Sequence, residues 1–124
     1  MKILLVAVGS GLGGVLRYLV TGWVGMPKGF PWATLTVNVV GSLLIGFLSG
    51  WLARQGGSSA ESIRAFALVG FCGGFTTFST FSNETFRLIE SNQWLSASAY
   101  VGISVVAGLV AVFAGHLISK GVLT

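Results

Sequence analysis

Two phenylalanines three apart, Phe78 and Phe81, are interleaved with hydroxyls at Thr77, Ser79, Thr80 and Ser82. Side chains at that spacing share one helical face. A phenyl ring is negative on its face and positive at its edge. Ring edges can therefore touch an anion weakly, and hydroxyls beside them can donate hydrogen bonds. Conduction needs weak contact at several places, because an ion must leave as well as enter. Just upstream stand Gly73-Gly74-Phe75-Thr76-Thr77. Each glycine costs roughly 1 kcal/mol relative to alanine inside a helix, and threonine is stiff at χ1. A helix break is expected around Gly73 to Thr77. Inside a membrane such a break survives only when it is buried in protein or lines a polar cavity. The chemistry these residues suggest is passage of a small ion.

Other polar groups lie in apolar surroundings. Arg17 falls in the middle part of an apolar run. A charge there is expensive and marks function or structure. It reads as a vestibule charge for anions, or else as a clamp on backbone carbonyls. Asn38, between Val37 and Val39, carries N–H donors for an anion or serves as glue between helices. Tyr100 and Ser104 share a face at i,i+4, with Ser96 one turn earlier. They extend a line of hydroxyls, unless the serines simply bond back to the preceding turn. Glu84 shares the face of Phe81, and Arg87 stands three residues beyond it, at ion-pair spacing.

These groups need a scaffold, and composition says which kind. Of 124 residues, 53% are hydrophobic and 8% charged, with a mean hydropathy of +0.87. Soluble domains average about 25% charged residues, so the chain reads as an all-α integral membrane protein, a single domain over 1–124. Spanning a bilayer takes about 20 apolar residues in a helix. Four runs qualify, near Ile3–Val24, Trp32–Ala53, Ile63 into the eighties, and Trp94–Ile118. The first run reads as a retained span, since no small-residue cleavage site ends it. Trp23, Trp32, Trp51 and Trp94 lie near span ends, where aromatic belts sit.

The net charge of +4 comes from Lys and Arg spread singly, with no basic cluster suited to nucleic acid. Four spans place both termini on one side, with Lys2, Arg54, Arg64 and Lys120, against Lys28 and Arg87 on the other. That imbalance is small, and Lys/Arg imbalance sets orientation. Insertion both ways round, and pairing with an inverted copy, follows as readily as one fixed orientation. Gly9/Gly13, Gly46/Gly50 and Gly70/Gly74 are each spaced i,i+4. Small residues so placed let helices approach closely, which points to an oligomer, at least a dimer.

Enzymatic readings lack parts. There is no Asp, one His (His116), and carboxylates only at Glu61, Glu84 and Glu90. No metal cluster or nucleophile–base pair can be built from the spacing. The single cysteine, Cys72, excludes an intrachain disulfide.

Taken together, the chain resembles the Fluc (CrcB) family of fluoride channels. The specific part is Gly73-Gly74-Phe75-Thr76-Thr77-Phe78-Ser79-Thr80-Phe81-Ser82, supported by Arg17-Tyr18, Asn38-Val39-Val40-Gly41-Ser42, and Tyr100 with Ser104. The resemblance covers essentially the whole chain. It implies four transmembrane helices with the third broken, and an antiparallel, dual-topology homodimer in the cell inner membrane with two fluoride pores. It implies that Phe78 and Phe81 are pore phenylalanines and Asn38 the pore asparagine. It makes Ser79, Thr80, Tyr100 and Ser104 a polar track, with Glu84 and Arg17 beside it. It implies carbonyls of Gly73 and Gly74 on a shared structural sodium ion. The runner-up is a small dual-topology multidrug/proton antiporter. That class needs a carboxylate in the first span, where this chain has Arg17. A membrane assembly factor that transports nothing is a third reading, and would not need the hydroxyl-and-phenyl face.

Overall fold

The computed structural model describes residues 2–25 and 30–123. The residues Met26, Pro27, Lys28 and Gly29 of the first connection lie outside it, and with them the side assigned to Lys28. Among the described residues every regular element is a helix, with no strand. The elements are α1 (Lys2–Val24), α2 (Trp32–Leu52), α3 (Ser58–Ile63), a π-helical stretch (Arg64–Cys72), α4 (Gly73–Phe75), α5 (Phe78–Glu90) and α6 (Trp94–Leu123). Four segments are long and apolar enough to cross a membrane: Lys2–Val24, Trp32–Leu52, Ser58–Glu90 and Trp94–Gly121. The third is the composite span, helical from α3 through α4 and again in α5.

Local chemistry explains where the helices stop. After α5, Ser91 and Asn92 close the helix, with Asn92 in the left-handed region at φ 60°. Its amide bonds Ile89 O at 3.0 Å, and the Gln93 amide bonds Leu88 O at 2.8 Å. That pair of reversed bonds satisfies the last carbonyls, and asparagine tolerates the φ it requires. Ala97 then donates to Gln93 O at 2.9 Å, starting α6. On the opposite side Gly57, at φ 89°, turns the chain into α3. There Lys2 reaches Glu61 at 3.1 Å. Both side chains are more than half exposed, so the pair contributes little.

Helices pair in parallel, skipping one span each time. Gly9 lies against Phe66, Gly70 and Phe71, and Gly13 against Phe71 and Phe75. Numbers rise together, so α1 runs parallel to the third span. In the same way Gly46 meets Val112, Gly50 meets His116 and Ser119, and Gly115 meets Leu43 and Phe47. Hence α2 runs parallel to α6. At Gly9, Gly13, Gly46, Gly74 and Gly115 a Cβ would collide with backbone of the partner helix. The small pairs predicted from spacing are therefore all used inside one chain. They account for its internal seams, so the spacing that suggested an oligomer is already used within the chain.

Outward faces stay apolar. Ile3, Leu95, Val106, Leu109, Val110 and Phe113 are all well exposed. In water such a surface would aggregate; in lipid it is solvated. A small buried cluster of Leu35, Leu88, Ala97 and Tyr100, flanked by Phe30, Val39, Phe81 and Ile89, ties α2, α5 and α6 together at one end.

The glycine seams give a direct test. Gly46→Leu is expected to abolish monodisperse protein in detergent, because the Val112 carbonyl cannot move aside. Gly11→Ala, where a Cβ meets nothing within 4 Å, is expected to leave yield and elution unchanged. Size-exclusion profiles of the two variants decide the matter.

Candidate functional site

The third span breaks at Thr76 and Thr77, at the end of the predicted interval. Thr76 has φ −84° and ψ 159°, and Thr77 has φ −152° and ψ 122°. Both are extended. Gly73 and Gly74 remain helical in α4. The π-helical stretch just before them was not foreseen. Such wide turns are rare and concentrate at functional sites.

What holds the break open is Asn38 on α2. Its Nδ2 donates to Thr77 O at 3.1 Å, and the Thr77 amide donates to its Oδ1 at 2.9 Å. The side-chain amide thus takes both backbone groups of the most extended residue. Lipid would leave those groups unsatisfied, at several kcal/mol each. Thr77 then caps α5: its hydroxyl accepts from the Thr80 amide at 3.2 Å, as N-cap threonines do. Thr76 is turned back onto Cys72 O, through its amide and its hydroxyl, both at 2.9 Å. Arg17 on α1 donates from Nε to Gly74 O at 3.2 Å. Arg17 is therefore a clamp on the broken span as well as a charge.

Around the break lie two hollows. One, of about 290 Å³, is bordered by Asn38, Ser42, Phe78, Phe81, Ser104 and Gly108, with Thr76 and Thr77. The rings of Phe78 and Phe81 stand 5.9 Å apart and inclined at 45°. Phe81 also packs on Tyr100, centroids 5.0 Å apart. Phe78 is 78% exposed, so one wall of this groove is open in the single chain. The second hollow, of about 340 Å³, is lined by Arg17, Thr80, Asn83, Glu84 and Arg87 among others. Thr77 borders both. The break separates an aromatic groove from a vestibule carrying two arginines and one carboxylate.

The candidates sort accordingly. Asn38, Phe78, Phe81 and Ser104 meet in the groove; Arg17, Thr80 and Glu84 meet in the vestibule. Tyr100 is fully buried and connects them, its ring on Phe81 and its hydroxyl donating to Glu84 Oε1 at 3.1 Å. Glu84 forms no ion pair with Arg87 among the described residues. Ser79 is exposed and borders neither hollow. Ser104 does not bond back to its own helix: its Oγ is buried with no partner among the described residues. Sequence reasoning named Thr77 only as one hydroxyl among several. Its capping position, three residues before Thr80, was the available signal.

Asn38→Ala is expected to lower stability by about 1–3 kcal/mol, because a buried amide and carbonyl lose their partners. A thermal melt in detergent, read against the parent, measures it. An unchanged midpoint would show that Thr77 finds other partners.

The chain is similar to known proteins along most of its length. Residues 4–116 match the family described as CrcB-like protein, Camphor Resistance (CrcB). A protein of Novosphingobium aromaticivorans named fluoride-specific ion channel FluC is 50% identical over 121 residues, covering 94% of this chain and 94% of its own. One of the same name from Caulobacter vibrioides is 46% identical over 125 residues, 98% of this chain and 97% of its own. A third, from Nitrobacter winogradskyi, is 52% identical over 117 residues, 91% and 90% of the two chains. With four apolar spans, a pinned break and a match of this extent, the chain belongs to the CrcB family.

Proposed function

We propose that this chain forms a fluoride-selective channel that lets fluoride leave the cell passively. The observation that carries the reading is the groove itself. There the Phe78–Phe81 pair, the Asn38 amide and an unpartnered Ser104 hydroxyl converge beside a break held open by side chains. Fluoride is small and strongly hydrated, so donors must replace its water. Hydroxyl and amide donors do this without the deep well a fixed cation would create. Asn38 keeps one N–H after its bonds to Thr77. Arg17 and Arg87 in the vestibule favour an anion over a cation there. A membrane potential supplies about 2.3 kcal/mol per charge per 100 mV, enough to drive an anion outward with no pump. The names of the relatives support the same ion. They lend nothing to an antiporter or to an enzyme.

The functional unit in this reading is an antiparallel homodimer in the inner membrane, with two pores and one four-span channel domain per chain. Support comes from Phe78, whose ring is left open beside the groove and which a second copy would cover. A structural sodium ion on the shared axis completes the unit. The two glycines are unequal candidates for it. The helical partner of the Gly73 carbonyl would be the Thr77 amide, which donates to Asn38 instead. The Gly74 carbonyl already accepts from Arg17, and a guanidinium beside it repels a second cation. Gly73 therefore fits the ion better than Gly74. Freed carbonyls of interrupted helices are suited to sodium, and bound there it would neutralise their partial charge and stiffen the break.

Purified protein in liposomes loaded with fluoride or chloride tests the function. Fluoride is expected to appear at a fluoride-selective electrode while chloride stays inside; equal release of both would end the selectivity claim. Phe81→Ile is expected to reduce fluoride release by about tenfold, equivalent to about 1.4 kcal/mol of barrier, with an unchanged elution profile. Wild-type release from that variant would remove Phe81 from the path.

A further inference from the structure

The hydroxyl line on α6 is interrupted, and another helix stands at the gap. Tyr100, Ser104 and Gly108 follow at i,i+4, about 6 Å apart along the axis. Tyr100 donates to Glu84, Ser104 is buried without a partner, and Gly108 has no side chain to offer. Opposite Gly108 lies Ser42 of α2, one turn after Asn38 and on the same face. A Cβ built on Gly108 would sit 3.6 Å from Ser42 Oγ, an ordinary contact. Ser42, Ser104 and Gly108 all border the aromatic groove.

Ser42 is also uncommitted. Thr21 and Thr85 each donate to the carbonyl four residues back, one way a hydroxyl within a helix is satisfied. Ser42 makes no such bond, and no other hydrogen bond, among the described residues. In an apolar span a free hydroxyl is costly unless something polar visits it. Two residues with unpartnered hydroxyls on facing helices, Ser42 and Ser104, border the same groove.

We propose that Ser42 is an anion-binding residue of the groove, supplying from α2 the donor that Gly108 leaves out of the α6 line. An ion that has passed the phenylalanines meets Ser104 first and Ser42 next. This rests on the channel reading above and adds a residue to its path.

The test moves the hydroxyl from one helix to the other. Parent, Ser42→Ala, and the double variant Ser42→Ala with Gly108→Ser are reconstituted in fluoride-loaded liposomes. Ser42→Ala is expected to slow release by about tenfold or more, the scale for losing one hydrogen bond to a charged species. The double variant is expected to recover a rate near the parent's, since serine fits at Gly108 and restores a hydroxyl to the same space. A role confined to packing would not be rescued from the opposite helix. Parent-like release from Ser42→Ala overturns the assignment, and so does a double variant as slow as the single one. Absence of fluoride release from the parent overturns the channel reading and this inference with it.

Discussion

The pairing between Asn38 and Thr77 is the interaction on which the arrangement depends. A helix can be interrupted in lipid only if its freed amides and carbonyls are satisfied from elsewhere. Asn38 does this with a single side chain, meeting donor and acceptor of one residue at 2.9 and 3.1 Å. Everything nearby follows from Thr77 being extended. Its hydroxyl is free to cap α5, which fixes where that helix begins. That in turn sets the register of Phe78 and Phe81 and places Glu84 within reach of Tyr100. Without the pairing, the span would lower its free energy by closing into continuous helix, and the groove would close with it.

Much of this was legible in the sequence, for physical reasons. Hydropathy located the spans within a few residues at most ends, because the bilayer leaves so little choice of element. The hydroxyl-and-phenyl stretch marked the break, since no stable helix gains from Gly-Gly and Thr-Thr in succession. Its position was less legible. Glycines permit a break without requiring one: Gly73 and Gly74 stay helical, with Ser10 of α1 close against Gly74. The residues that open are those whose backbone Asn38 can reach. No local propensity announces a partner 39 residues away.

The small-residue pairs illustrate a second limit. Spacing at i,i+4 reports that something comes close, and says nothing about what. Here it is the chain itself, since Gly13 seats Phe71 and Gly46 seats Val112. Arg17 shows the same ambiguity resolved both ways. Its guanidinium clamps Gly74 O and still borders the vestibule. An intramembrane charge that secures the break thereby also sets the electrostatic sign beside it. Ser42 entered the sequence reading only within the Asn38–Ser42 motif, because a lone serine in a span can simply bond back to its own helix; the opposing Gly108 is visible only in the fold.

Parallel pairing has a consequence for biogenesis. Each close seam joins helices separated in the chain by one that runs the other way: α1 with the third span, α2 with α6. The glycine-lined seams do not form between neighbours in sequence as they leave the ribosome. Each early helix must wait in the bilayer, its glycine furrow covered only by acyl chains, until the matching helix two crossings later is delivered. Maturation is thus divided into insertion, governed by hydropathy, and a later docking step governed by shape. The second seam can form only after nearly the whole polypeptide has been synthesised.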